Sequence, residues 1–224
     1  MADTRPQQPT RREQAREEAR TRILAASAEC IVRDGLAKVR MAGIAQAANV
    51  SAGLLHYHFD TKQRLFAELL AYSHGVSSVL DEQAMERAGT CPAQRLMSFL
   101  IRCLPSDERL ADEWLLWREL ALLCIRQPEL AAVGAEVCED RYSTVARIIA
   151  EGVDAGDFQP AIDARVVAET AVALCDGLGG RVLANDPQMD LCGARAALAA
   201  TVGVLVGHEG PLPEPVEAPA SAAT

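Results

Sequence analysis

The stretch "MAGIAQAANVSAGLLHYHFDTK", residues 41–62, restricts the fold more than any other part of the chain. Ile44 and Ala45 lie where a short helix over 41–48 would turn them inward. Asn49 follows, and after glycine asparagine is the residue that best tolerates a left-handed backbone. Ser51 is placed to cap a second short helix, its hydroxyl accepting from the free amides of the first turn. Thr61 offers the same to a longer helix that begins at Lys62. Two short helices joined by a tight turn make a helix-turn-helix unit. Val50, Leu55 and Phe59 are spaced to brace the second helix against the first, with Ile44 completing a small core. That leaves Ser51, Ala52, Gly53, Leu54, His56, Tyr57 and His58 nearer the outside.

The same letters hold a competing pattern. His56, His58 and Asp60 match the H-x-H-x-D ligand run of a metallohydrolase. On a strand the two rings would point the same way. On a helix they are separated by about 200° and diverge. A hydrolase of that kind would also want a preceding apolar strand, a histidine where Thr61 stands and further ligands downstream, yet the other histidines are only His74 and His208. The helix signals outweigh the metal pattern, and no metal or other cofactor is implied.

The rest of the chain repeats helical spacing. Ala19, Ile23, Ala26, Cys30 and Ile31 mark a first helix over about 12–33, with Gly35 at its C-cap. A helix over 62–87 turns Leu65, Phe66, Leu69 and Leu70 inward. Others are expected from Pro92 to Pro105, over 107–126, over 129–155 closing on Gly156, over 164–184 and over 190–206. No strand-like alternation survives inspection, and alanine and leucine dominate an apolar set in which aromatics are only 4%. The expected fold class is all-α: an N-terminal three-helix unit over 11–62 and a larger helical domain over 63–208. The polar and Pro/Ala-rich ends, 1–10 and 209–224, are expected to be disordered.

Charge divides along the same line. Residues 1–64 carry eleven Lys/Arg and seven Asp/Glu, a balance of +4. The remainder, with eleven basic and twenty-four acidic residues, stands at −13, which accounts for the net −9. A basic head on an acidic body can hold phosphate locally while the body repels it. No apolar run approaches the roughly 20 residues of a membrane span, and the opening residues lack a secretion signal. A membrane partner is therefore not expected, and a cytoplasmic location is. The seven cysteines are odd in number and none is spaced C-x-x-C, so neither a disulfide framework nor a zinc site is suggested. No nucleophile–base set or phosphate loop emerges, which argues against an enzyme.

The segment "IAQAANVSAGLLHYHFDTKQRL" resembles the N-terminal DNA-binding domain of the TetR family of transcriptional repressors, the resemblance covering about residues 15–70. It implies contact with double-stranded DNA, at a palindromic operator, by Ser51, Ala52, Gly53, Leu54, Tyr57 and Lys62. Three positions depart from the family pattern. Asn49 replaces a glycine, Arg40 stands near the usual threonine cap and can offer a guanidinium to phosphate, and His56 replaces a tyrosine. His56 and His58 complete the set of expected contacts, although His58 is equally suited to packing.

The same resemblance implies a homodimer built on the last two helices and a small-molecule inducer held in the body. Val167, Ala171, Leu174 and Leu178 on one helix, with Leu198, Val202 and Leu205 on the other, are the expected dimer face. The stretches "DEWLLWRELALLCIRQPELAAVGAEV" and "ALCDGLGGRVL" are similar to the body of the choline-responsive, BetI-like subgroup. Trp114, Trp117, Ala121 and Cys124 form a stripe that suits either a pocket or plain helix packing. With Phe99, Cys103, Tyr142 and Asp176 they are the candidate ligand contacts, and Glu113, Glu119 and Asp140 could add charge. A cationic amine is the expected inducer because indole faces bind cations. Cysteine-based redox sensing is the alternative trigger.

Overall fold

The computed structural model describes residues 10–215, which hold nine helices and no strand. In chain order they are α1 (Arg11–Asp34), α2 (Met41–Ala47), α3 (Ala52–His58), α4 (Lys62–Arg87), α5 (Pro92–Arg102), α6 (Glu108–Arg126), α7 (Pro128–Ala155), α8 (Ala164–Leu183) and α9 (Leu191–Val206). Every expected helix is present, its ends shifted by a residue or two, as is usual for fraying termini. The chain divides into two compact units after Tyr72. The boundary expected after residue 62 therefore moves down α4. Its first turns belong to the N-terminal unit, where Leu65, Phe66, Leu69 and Leu70 are buried.

The first unit is α1, α2, α3 and the start of α4. Thr10 and Glu13 form a capping box at the start of α1, each satisfying a free amide of the other. Ile23, Leu24, Ile31, Ile44, Leu55, Phe59 and Leu65 are fully buried and make the core. The one hydroxyl sunk among them, that of Ser27, donates to the Ile23 carbonyl at 2.7 Å. Arg20 on α1 reaches Glu68 on α4 at 2.6 Å, which ties the two longest elements of this unit.

The second unit packs α7 against α5, α6 and α8, and α8 against α9. Leu96, Met97, Phe99 and Leu100 of α5 sink into its centre. Phe158, in the link from α7 to α8, lies so tightly on Gly152 that a Cβ there would fall 2.0 Å from its ring. The chain beyond α9 turns at Gly207, in a left-handed conformation, and doubles back. Leu212 N donates to the Ala199 carbonyl at 3.1 Å, its side chain is buried, and Glu214 pairs with Arg195 at 3.3 Å. Disorder was expected from residue 209 onward; the segment to 215 is instead laid against α9, because Leu212 has an apolar seat to fill. Residues 1–9 and 216–224, the rest of the expected tails, lie outside the described residues.

The expected dimer face needs correction. Val167, Ala171, Leu178, Leu198 and Val202 are buried in the core of this chain itself, and Leu174 and Leu205 are half-buried against that core. The most apolar stripe of each helix went to the larger drive, its own core. The sides of α8 and α9 left outward carry Val166, Ala173 and Gly177, and Ala196, Ala200 and Val204; Val204 is 80% exposed.

Candidate functional site

The turn from α2 to α3 is built from local chemistry. Asn49 takes φ 52°, and the amides of Asn49 and Val50 donate back to the carbonyls of Gln46 and Ala45 at 3.1 and 3.0 Å. Ser51 Oγ accepts from Leu54 N at 3.1 Å and starts α3. Arg40 precedes α2 and makes no side-chain cap, so its guanidinium stays exposed. Leu55 and Phe59 anchor α3 from behind, both fully buried.

The outer face of α3 carries Ser51, Ala52, Gly53, Leu54, His56 and Tyr57, all exposed. The Tyr57 ring is 66% exposed and has the Arg16 guanidinium 5.4 Å from its centre. Arg16 was not anticipated, because on the sequence it is one charge among many on the outer side of α1. A Cβ on Gly53 would meet nothing nearer than Ser51 Oγ at 3.9 Å, so nothing inside the protein demands a glycine there. Mid-helix glycine costs roughly 0.5–1 kcal/mol relative to alanine.

Two expected contacts sit elsewhere. His58 is buried behind α3, and burial, then the nearby Arg16 and Arg20, pulls its imidazole below the usual range. It packs edge-on to Tyr57 and beside Phe59, turned away from the face that His56 shares. The opposed histidines also separate the two rings of the metal-like pattern. Lys62 turns inward: Nζ donates to the Val39 carbonyl at 2.7 Å and lies 5.3 Å from the Phe66 ring centre. Burial and then Arg40 lower its pKa. It pins the start of α4 to the loop before α2.

A cavity of about 310 Å³ lies within the second unit. α4 contributes His74, Ser77, Asp81 and Glu82, α5 gives Phe99, Arg102 and Cys103, α6 gives Glu113, Trp114, Trp117 and Arg118, α7 gives Asp140 and Arg141, and α8 gives Asp176. Of the expected ligand contacts, Phe99, Cys103, Trp114, Trp117 and Asp176 line this cavity. Ala121, Cys124 and Tyr142 are not on the lining. Ala121 is exposed, Cys124 closes on α7, where a Cβ at Gly134 would be 2.9 Å from its sulfur, and Tyr142 lies beneath the Arg165 guanidinium at 5.1 Å. Glu119 is off the lining too.

Nearly half of the lining is charged. Arg102 pairs with Asp81, Arg118 with Asp176, and His74 Nε2 with Asp140 at 3.0 Å. Burial raises the Asp81 pKa in spite of its arginine. The Arg118 guanidinium lies 4.5 Å from the Trp114 ring centre, so one indole face is already covered. The Cys103 and Cys175 thiols each donate to an α5 carbonyl, those of Phe99 and Leu100, at 3.5 and 3.7 Å. Hydrogen bonding from the Cys175 thiol first, and the Arg141 charge after it, outweigh burial and bring Cys103 down to about 7.

An outward α3 on a capped turn, with a charged cavity in a separate helical unit, defines a helix-turn-helix regulator with a ligand-binding body. Comparison with known proteins agrees. Residues 23–69 match the model of bacterial regulatory proteins of the tetR family, and residues 92–207 match that of the BetI-type transcriptional repressor, C-terminal. The chain belongs to the TetR family of transcriptional regulators, with a BetI-type C-terminal domain. Its relatives are regulators and not enzymes. It is similar to the HTH-type transcriptional regulator TtgR of Pseudomonas putida, 26% identical over 79% of this chain and 86% of that protein. A TetR-family regulator from Rhodococcus sp. superposes with a TM-score of 0.75 at 27% identity, over 85% of this chain and 99% of that one. A transcriptional regulator from Saccharomonospora viridis, solved in complex with choline, gives 0.72 at 30% identity over 81% and 94%. Among the described residues no helix is long and apolar enough to cross a membrane.

Proposed function

We propose that the chain is a homodimeric repressor that reads a palindromic operator through α3 and is released when a small cationic amine fills the cavity. Gly53 carries the DNA part of this reading. It sits exposed on α3 between Ala52 and Leu54, with no internal neighbour that needs it small. A position without a side chain lets a recognition helix approach the major groove closely. Arg40, Tyr57 and Arg16 flank it as phosphate-seeking groups.

For the trigger, Glu82, Glu113 and Asp140 offer negative charge beside Trp117 and Phe99, a setting suited to an ammonium group. The choline bound by the Saccharomonospora viridis regulator supports the same class. The helix α4 belongs to the reader at Lys62 and lines the cavity from His74 to Met85. A ligand that prefers one placement of α4 shifts the population away from the spacing of about 34–36 Å that two recognition helices need on DNA. The dimer would form on the outward sides of α8 and α9, around Val166, Ala173, Ala200 and Val204. An apolar strip of that kind invites a second copy.

The test is a mobility shift with DNA from upstream of the chain's own gene, with and without choline and related amines. A shift relieved by an amine supports the proposal, and a shift that no amine relieves removes that trigger. Val204→Glu should yield a monomer that no longer retards DNA; a dimer unaffected by the change would move the interface elsewhere. The paired thiols favour one second trigger: oxidation of Cys103, which a shift insensitive to peroxide would exclude.

A further inference from the structure

Four guanidiniums, those of Arg102, Arg118, Arg141 and Arg147, line the cavity, and among the described residues all but Arg141 are ion-paired. Asp81 is taken by Arg102, and Asp176 by Arg118. Arg141, on α7 and lining the same space, makes no ion pair among the described residues; the group nearest to compensating it is the Cys103 thiol, a poor acceptor. Glu113 and Asp140 do not fill the gap, and Glu82 is exposed. Glu113 accepts from Ser77 and Arg109, and Asp140 faces His74. A second shortage points the same way. Arg102 Nη2, on another lining residue, is buried with no acceptor.

An uncompensated guanidinium in a partly desolvated wall is costly, and so is each unmet donor. Both costs fall on residues of the same cavity lining, and an anion with several acceptor oxygens would offset them. We propose that the ligand of this cavity is a zwitterion, an ammonium group joined to a carboxylate, and that Arg141 receives the carboxylate. A guanidinium presents a fork of N–H donors that matches the two oxygens of a carboxylate. The Cys103 thiol is held toward its anionic form at the same spot, which agrees with a local demand for negative charge. At about 310 Å³ the cavity suits a small molecule of this class.

This inference rests on the cavity being the inducer site, and the experiment separates the two claims. The full-length chain is titrated calorimetrically with choline and with trimethylammonio-carboxylates of increasing chain length, which differ from choline in ending in a carboxylate rather than an alcohol. Simple carboxylates such as butyrate form a third arm. One of the zwitterions should bind about tenfold or more tightly than choline, as an added charge-assisted fork implies. Arg141→Gln should remove that preference for the zwitterion over choline, and Arg141→Lys should keep part of it. Circular dichroism and DNA retardation confirm that each variant is folded. The comparison of ligands on the native chain stands even if both variants unfold. Choline binding as well as or better than every zwitterion would overturn the carboxylate site and leave the amine trigger standing. Binding of simple carboxylates alone, lost in Arg141→Gln, would uphold the Arg141 anion site but overturn the zwitterion and the amine trigger. No heat from any arm would overturn both.

Discussion

Gly179 of α8 and the indole of Trp114 on α6 leave no space between them: a Cβ at position 179 would lie 2.4 Å from Nε1 and 3.0 Å from Cε2. Alanine for glycine inside a helix ordinarily gains about 0.5–1 kcal/mol. Here the sign should reverse, since forcing atoms into a packed contact costs typically 1–3 kcal/mol. Gly179→Ala should therefore lower the unfolding temperature and weaken ligand binding, because the displaced indole is part of the cavity wall. A variant with native melting and native affinity would show that the ring moves freely.

Gly53→Ala tests the opposite case. With nothing within reach but Ser51 Oγ, the added methyl should stabilise α3 by about 0.5–1 kcal/mol. The same methyl stands on the outer face and should weaken operator binding. Chemical unfolding and gel retardation are read side by side. A variant more stable and equally tight on DNA would remove α3 from the groove.

Lys62 and Arg40 should separate on salt. Lys62→Met breaks the bond to the Val39 carbonyl and should cost about 1 kcal/mol of stability, without changing how operator affinity depends on salt. Arg40→Gln should flatten that dependence by about 0.9 in the log–log slope, the loss of one phosphate contact. The reverse pattern would place Lys62 on the backbone of DNA after all.

The Cys103 thiol, brought to about 7, should alkylate with a rate that rises with pH and reaches half its maximum near that value. The thiolate is the nucleophile, so a lowered pKa makes it reactive at lower pH. Cys175→Ala should move the midpoint upward, since the hydrogen bond from Cys175 is the largest cause; Arg141, Asp81 and Asp176 are the charged groups around it. Iodoacetamide labelling in a chain whose exposed Cys91, Cys138 and Cys192 and half-buried Cys124 are replaced by serine gives the measurement. A midpoint unmoved by Cys175→Ala would disconnect the two thiols.

The α2–α3 unit was legible in the sequence because its determinants are local. A left-handed Asn49, a capping Ser51 and a capping Thr61 act within four residues of themselves. The cavity was legible only where a large ring gave it away, at Trp114, Trp117 and Phe99. Continuing their stripe to Ala121 and Cys124 failed because α7 meets that end of α6 at Gly134. Asp81, Arg102 and Arg141 read as ordinary solvated charges, since only the meeting of four or five helices turns them toward a common space. The dimer face failed for a related reason. Period alone marks the apolar side of α8 and α9, but not whether the chain or its twin will cover it.

Leu212 and its neighbours act as a clasp across the far side of α9, fastened at Ala199 and Arg195. Cutting the protein after Val206, where the helical pattern stops, would uncover the seat that Leu212 fills and invite clumping through it. Shortened or fused versions should keep every residue to Pro215.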